Sequence, residues 1–302
     1  MQSSLTSFSN EVAKLVEQFQ AYIVAVHAGS RFPSSGVHWG PGIIVTADHT
    51  IRREEDIQVT LSDGKRADAL LAGRDPGTDI AALKVEGLGS PAPQTGAGDA
   101  VRAGELALIL GRSPDSGPNA SLGVISAVSG PWRTWRGGRL DNYIRLDATM
   151  FPNSSGGAVI DVRGRLLGLA TSALSRIAGL AIPASSVNRI LEVLIAKGHV
   201  PRGYLGIGAQ PVGIPETLRA NLSLTAKSGI MVVKIEAGGP AEKAGILLGD
   251  ILVSLGDATL EEFEDLQSIS DSGIIGKQVK ARVIRAGAIQ ELNITVGERP
   301  GK

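Results

Sequence analysis

The chain has 302 residues, 43% of them hydrophobic and 20% charged, which fits two ordinary globular domains and not a disordered polymer. Lys plus Arg balances Asp plus Glu at 30 each, so no net charge draws the chain to nucleic acid or an anionic membrane. The absence of cysteine excludes a disulfide framework, a Cys-ligated zinc site and a thiol nucleophile, and no apolar run reaches the roughly 18 residues of a membrane span. Phe8, Val12, Leu15, Val16 and Phe19 fall at helical spacing, so residues 1–20 read as an amphipathic N-terminal helix. Its apolar face packs either on its own domain or on a neighbouring subunit. The stretch "MQSSLTSFSNEVAK" has no basic segment followed by an apolar one. The expected compartment is therefore the cytoplasm, or the periplasm or cell exterior if a leader has been removed.

From Tyr22 to about Ala181 short β-rich runs recur between Gly, Pro, Asp and Ser: "AYIVAVHA", "GIIVTADH", "DIQVTLSD", "IAALKVEG", "LGVISAVS", "GAVIDVRG". Regular short strands with turn signals predict an all-β barrel or sandwich over residues 21–200. Residues 184 to 198 close this part as a helix with stripe Val187, Ile190, Leu191, Leu194, Ile195 and Gly198 at its C-terminal cap. A second unit of mixed strand and helix occupies residues 201–299, with the boundary near Val200 to Arg202. "GIIGKQ" is too short for a phosphate loop, and "GIGAQP" lacks the third glycine of a dinucleotide fingerprint, so no cofactor is expected.

The stretch "FPNSSGGAVID", residues 151 to 161, has two readings: a tight loop presenting Ser155 as a nucleophile, or small residues in a turn. Nucleophilic serine needs a base, a carboxylate to orient the base, and donors for the oxyanion. Of four histidines, His27 lies in a strand-like run, His38 in a Gly-rich loop beside Trp39, and His199 in the linker. Only His49 directly ends an apolar strand. Asp79 opens "DIAALKVEG" after the turn-rich "GRDPGT". The order His49, Asp79, Ser155 is that of chymotrypsin-type enzymes, and "PNSSGG" does not match the G-x-S-x-G of α/β-hydrolases. Asp48, beside His49, has no role that the sequence explains.

"IVTADHTI", "GTDIAALKV", "LDATMFPNSSGGAVID", "GLAIPASSVNRILEVLIAKGHVPRGYLGI" and "GPAEKAGILLGDILVSLGD" together, in this order, resemble the HtrA/Deg family of serine proteases over about residues 20 to 298. The resemblance implies a mainly β chain: a trypsin-like double β-barrel followed by an α+β PDZ domain. It implies Ser155 as nucleophile, His49 as base, Asp79 as its orienting acid, and the backbone N–H groups of Asn153 and Ser155 as oxyanion hole. It further implies a homotrimer acting on unfolded or misfolded protein, no nucleotide, and a PDZ domain that binds peptide C-termini.

Where the family has Gly-Asn before the serine, this chain has Asn153-Ser154. The oxyanion hole then either forms with Asn, which tolerates unusual backbone better than most residues, or is set only when ligand binds. A protease-fold chaperone or peptide-binding scaffold with weak or no catalysis is the alternative. By the same alignment Thr149 floors the specificity pocket and Leu180 narrows it, which favours small or medium apolar side chains. The Trp- and Arg-rich segment 130 to 142, with Arg133, Arg136 and Arg139, has three readings: a solvated loop, a loop that by the resemblance senses the PDZ domain or a neighbouring subunit, or a nucleic-acid patch, which zero net charge disfavours. In the second unit, Tyr204, Leu205, Gly206 and Ile207 resemble the carboxylate-binding loop. A helix with Phe263, Leu266 and Ile269 contributes to groove or core.

Overall fold

Runs rich in Val, Ile and Ala, cut by turn residues, form six antiparallel strands: β1 Ile23–His27, β2 Ser34–Gly40, β3 Ile43–Ala47, β4 Ile57–Thr60, β5 Arg66–Asp75 and β6 Ile80–Lys84. They close into a barrel in the order β1-β2-β3-β6-β5-β4. The computed structural model describes residues 4–89, 92–95, 101–262, 264–266 and 273–299. A second barrel uses β7 Leu106–Ser113, β8 Gly117–Ser129, β11 Tyr143–Asp147, β12 Ala158–Asp161, β13 Leu166–Thr171 and β14 Gly179–Pro183. Its order is β11-β14-β13-β12-β7-β8. Between β8 and β11 stands a hairpin, β9 Trp132–Arg133 and β10 Arg139–Leu140.

Period-two alternation explains how six-stranded closure and barrel-on-barrel packing coexist. On β6, Ala81 and Leu83 join the first barrel's interior with Val24, Ile44 and Val59. Ile80 and Ala82 face the other way, into a core shared with Leu108, Leu110, Ile160, Leu169 and Ile182 of the second barrel. Each such Ile or Leu, fully buried, stabilises the fold by about 1.5–3 kcal/mol. The helix α2, Ala184–Lys197, adds Val187, Ile190 and Leu194 to this shared core. It ends at Gly198, whose φ of 77° few other residues adopt. The N-terminal helix α1, Ser4–Phe19, packs Val12, Leu15 and Val16 on the same core and buries Phe19, while Leu5 and Phe8 stay exposed.

The chain divides into two units, through Val200 and from Pro201 on. In the second, β15 Gly203–Tyr204 pairs with β22 Gly297–Glu298. The strands β16 Ile207–Gly213, β17 Ser228–Ile235, β18 Ile251–Leu255, β20 Gln278–Arg285 and β21 Ala288–Thr295 form a sheet in that order, with β19 Ala258–Thr259 against β18. Leu205, Ile230, Val232, Leu252, Val283 and Ile294 fill its core beside the short helix α4, Pro240–Lys243. The preceding helix α3, Glu216–Leu222, was not expected: its Leu218 and Leu222 join a small satellite cluster with Val253 and Ile284. Phe263 and Ile269 lie outside the described residues, while Leu266 is buried in the core.

Two further expectations are corrected. His38 is not in a loop but in β2, where a pairing irregularity between His38 and Gly40 shortens the regular register. Burial outweighs its Gly composition. The segment 130 to 142 is not simply solvated: Thr134 and Leu140 are 1% exposed.

His38 is 5% exposed, its Nε2 has no hydrogen-bond partner among the described residues, and burial holds its pKa below the ordinary 6.5. His27 is lowered too, first by burial. A neutral buried imidazole means the unfolded chain binds more protons just below pH 6.5. Stability is therefore complete above that pH and is lost as pH falls through the depressed folded value. Urea midpoints at pH 7.5 and 5 are expected to differ less in His38→Phe than in the parent; an unchanged difference contradicts this assignment.

Candidate active site

The 3₁₀ turn Asp48–Thr50 follows β3 and carries His49, whose side chain is 23% exposed. Asp79 precedes β6 with a φ of 61° and is fully buried. Asp is among the few residues that tolerate this left-handed backbone. The turn before it is fixed by Asp75, whose carboxylate accepts from the Gly77 and Thr78 N–H groups and from the Thr78 hydroxyl. The hairpin β9–β10 packs on this turn: Thr134 Oγ1 donates to the Gly77 carbonyl at 2.6 Å. A Cβ on Gly138 would lie 2.3 Å from that carbonyl oxygen, so only glycine fits there.

The Asp79 carboxylate is held from three directions. Oδ1 accepts from the His49 backbone N–H at 2.9 Å, Oδ2 accepts from Thr171 Oγ1 at 2.5 Å, and both lie 2.9–3.0 Å from His49 Nδ1. A carboxylate can only accept, so Nδ1 carries the proton of a neutral ring and Nε2 keeps its lone pair. That is the tautomer a general base requires.

Ser155 sits in the turn after Phe151. Ser154 N donates to the Phe151 carbonyl, Ser154 Oγ accepts from Phe151 N, and Gly156 and Gly157 N–H donate to Ala170 and Ser154 carbonyls. Among the described residues the N–H groups of Asn153 and Ser155 have no backbone or side-chain acceptor. Two unused N–H groups beside a serine hydroxyl are the donors that an oxyanion hole requires. Asn153 keeps a negative φ, so the turn does not require glycine at that position. Gly156 does: its φ is 82°, and a Cβ would lie 2.2 Å from the Ser35 carbonyl oxygen. Ser35 also pins the turn, with N–H to the Ser155 carbonyl and Oγ to the Asn153 carbonyl.

Consecutive residues at the end of β13 join the parts. Thr171 holds Asp79, and Ser172 Oγ lies 3.1 Å from Ser155 Oγ. Neither was picked out from the sequence, where "TSALS" looks like any polar turn.

Asp48 is one half of a buried ion pair. It is 3% exposed and pairs with Arg74, whose Nε donates to Oδ1 at 2.6 Å. Arg74 also reaches Glu54 and the Asp48 and Ile51 carbonyls. Burial pushes the Asp48 carboxyl above its ordinary value, and the Arg74 guanidinium offsets this only in part. Arg74→Met leaves a buried carboxylate unpaired and is expected to cost about 3 kcal/mol of unfolding free energy. Adding Asp48→Leu should recover much of that loss in urea unfolding; equal losses in the single and double variants contradict the pairing.

The proposed pocket residues are placed differently from each other. Leu180 is 1% exposed and belongs to the shared core, whereas Thr149 is exposed. Met150, the next residue, lies against β14: a Cβ on Gly179 would be 2.7 Å from its Cγ.

In the second unit Leu205 and Gly206 interrupt the run between β15 and β16. Gly206 has φ 73°, its carbonyl accepts from Glu236 N, and the Leu205 carbonyl accepts from Ala241 N. The Leu205 and Gly206 N–H groups donate to no backbone acceptor among the described residues. Tyr204 bonds Glu236 through its hydroxyl. Ile207 starts β16, which among the described residues pairs with β17 alone and so lies at the sheet edge. An open edge beside free N–H groups is the arrangement that accepts an extended peptide and its carboxylate. Among the described residues no cluster of three His, Asp or Glu could hold a metal, and no helix is long and apolar enough to cross a membrane.

Comparison with known proteins agrees with this architecture. A family model described as a trypsin-like peptidase domain matches residues 34–169, and one described as a PDZ domain matches residues 203–296. A protein of Brucella suis biovar 1 (strain 1330) named "Probable periplasmic serine endoprotease DegP-like" is 31% identical over 266 residues, covering 86% of this chain and 51% of that protein. The chain thus spans about half the length of the curated relatives it matches. The crystal structure of the serine endoprotease from Yersinia pestis superposes with TM-score 0.77 at 27% identity, covering 99% of this chain and 100% of that one. The HtrA-type protease AlgW with decapeptide superposes with TM-score 0.75 at 26% identity, covering 96% and 99%. The cytoplasmic expectation is corrected by these relatives, which are named periplasmic. The physical reason is that a folded domain carries no address, and a leader-free stretch says nothing of export.

Proposed function

The chain belongs to the HtrA/DegP type of serine proteases, a trypsin-like peptidase domain followed by one PDZ domain, and on that premise we propose that it is a periplasmic serine endopeptidase that cleaves unfolded or misfolded protein. The observation that supports this most is the fully buried Asp79 carboxylate, held by Thr171 and by both the backbone and the ring of His49. It fixes the ring with Nε2 as base.

In this mechanism Ser155 Oγ attacks the scissile carbonyl carbon while His49 Nε2 takes its proton. The Asn153 and Ser155 N–H groups hold the oxyanion that forms on the carbonyl oxygen. His49 then gives the proton to the leaving amine, and water repeats the sequence to release the acyl group. Asp79 stabilises the imidazolium without itself taking the proton. Small or medium apolar side chains occupy the pocket floored by Thr149, which offers a basic side chain no partner charge. The loop Tyr204 to Ile207 binds peptide C-termini, with the peptide added to the edge of β16. The chain works as a homotrimer, for which the exposed Leu5 and Phe8 of α1 offer apolar surface.

A reduced, unfolded test protein and its folded form distinguish this reading. The unfolded form is expected to be cut, at a rate altered by a peptide with a free hydrophobic C-terminus and not by the same peptide amidated. No cleavage of the unfolded form at any peptide concentration overturns the endopeptidase reading.

A further inference from the structure

We propose that Ser172 is a positioning residue that holds the Ser155 hydroxyl away from His49, so that removing its side-chain hydroxyl speeds attack by Ser155. The inference rests on the serine-protease reading above and adds a residue to it. The one hydrogen-bond partner of Ser155 Oγ among the described residues is Ser172 Oγ at 3.1 Å, and either hydroxyl can be the donor. His49 Nε2, the lone-pair nitrogen, forms no hydrogen bond among the described residues. The base is therefore prepared on its Asp79 side, while the hydroxyl it should deprotonate is bonded elsewhere.

The neighbouring residues have opposite tasks. Thr171, fully buried, holds the acid, and its partner in the mechanism would be lost with it. Ser172 is exposed, so shortening it opens no cavity in either barrel. A hydroxyl–hydroxyl bond of ordinary strength biases two rotamers of Ser155 by about two- to tenfold. Attack from the rotamer facing His49 is slowed by that factor as long as the Ser172 bond holds.

Fluorophosphonate labelling tests this. The probe's phosphorus–oxygen bond to Ser155 forms as fluoride leaves, and His49 takes the proton. Ser172→Ala is expected to label about two- to tenfold faster at saturating probe, with half-saturation and the pH inflection unchanged. Ser172→Thr, which keeps the hydroxyl, should stay near the parent rate. A merely structural role would slow Ser172→Ala, and an equal or slower rate overturns the inference while leaving the protease reading intact. No label on Ser155 in the parent or in the variant overturns both.

Discussion

Ser155→Ala is expected to lower kcat on an unfolded substrate by about 10⁶-fold, while Ser154→Ala leaves most activity in place. The two serines are adjacent and equally buried, at 3% and 1% exposure, so burial does not tell them apart. Their bonding does. Ser154 Oγ is occupied as acceptor for the Phe151 N–H and fixes the turn. Losing it leaves that N–H without a partner, a cost of about 1 kcal/mol in stability. Ser155 Oγ holds no backbone group in this way; its one hydrogen-bond partner among the described residues is another hydroxyl. Its removal should leave the thermal midpoint nearly unchanged. Residual cleavage in Ser155→Ala would come from binding and the oxyanion donors alone. Comparable losses in both variants, or the larger loss in Ser154→Ala, contradict the assignment.

Asp79→Asn should reduce kcat by about 10⁴-fold with the fold preserved. Asn accepts the left-handed backbone at φ 61° as readily as Asp. One carboxylate oxygen must remain an acceptor for the His49 backbone N–H, because that donor cannot turn away. The amide NH₂ therefore takes the Oδ2 place, where the Thr171 hydroxyl can rotate to accept from it. That NH₂ then faces His49 Nδ1 at about the same 2.9 Å. Nδ1 must become the acceptor, the ring proton moves to Nε2, and the base is lost. Single-turnover kinetics with an ester substrate read this directly. A fall of less than tenfold would mean that Asp79 supports the fold and not the imidazole tautomer.

The general plan was legible because it rests on local signals. Alternating β-branched runs and turn residues announce the barrels, and the stripe ending at Gly198 announces α2. The positions of His49 after an apolar strand, Asp79 after a turn and Ser155 before two glycines could likewise be read along the chain. What could not be read depends on side chains brought together from distant segments. Arg74 lies 26 residues from Asp48, and nothing local marks either as half of a buried pair. Thr171 and Ser172 acquire their meaning only when β13 is laid beside Asp79 and Ser155. His38 misled because Gly36 and Gly40 suggest a loop; Gly36 is in fact forced by close packing, since a Cβ there would lie 2.7 Å from Ile44 Cγ2. The hairpin of β9 and β10 was hidden in a charged segment whose buried members, Thr134, Gly138 and Leu140, are few.

The most direct test of the central claim is fluorophosphonate labelling of the full chain, with and without a peptide ending in a free hydrophobic carboxylate, followed by mass mapping of the label. The account predicts label on Ser155 and on no other serine, lost in Asp79→Asn. Label on Ser154, or no label on Ser155 in either condition while the peptide still binds, would contradict it and leave a protease fold that binds peptides without cutting them.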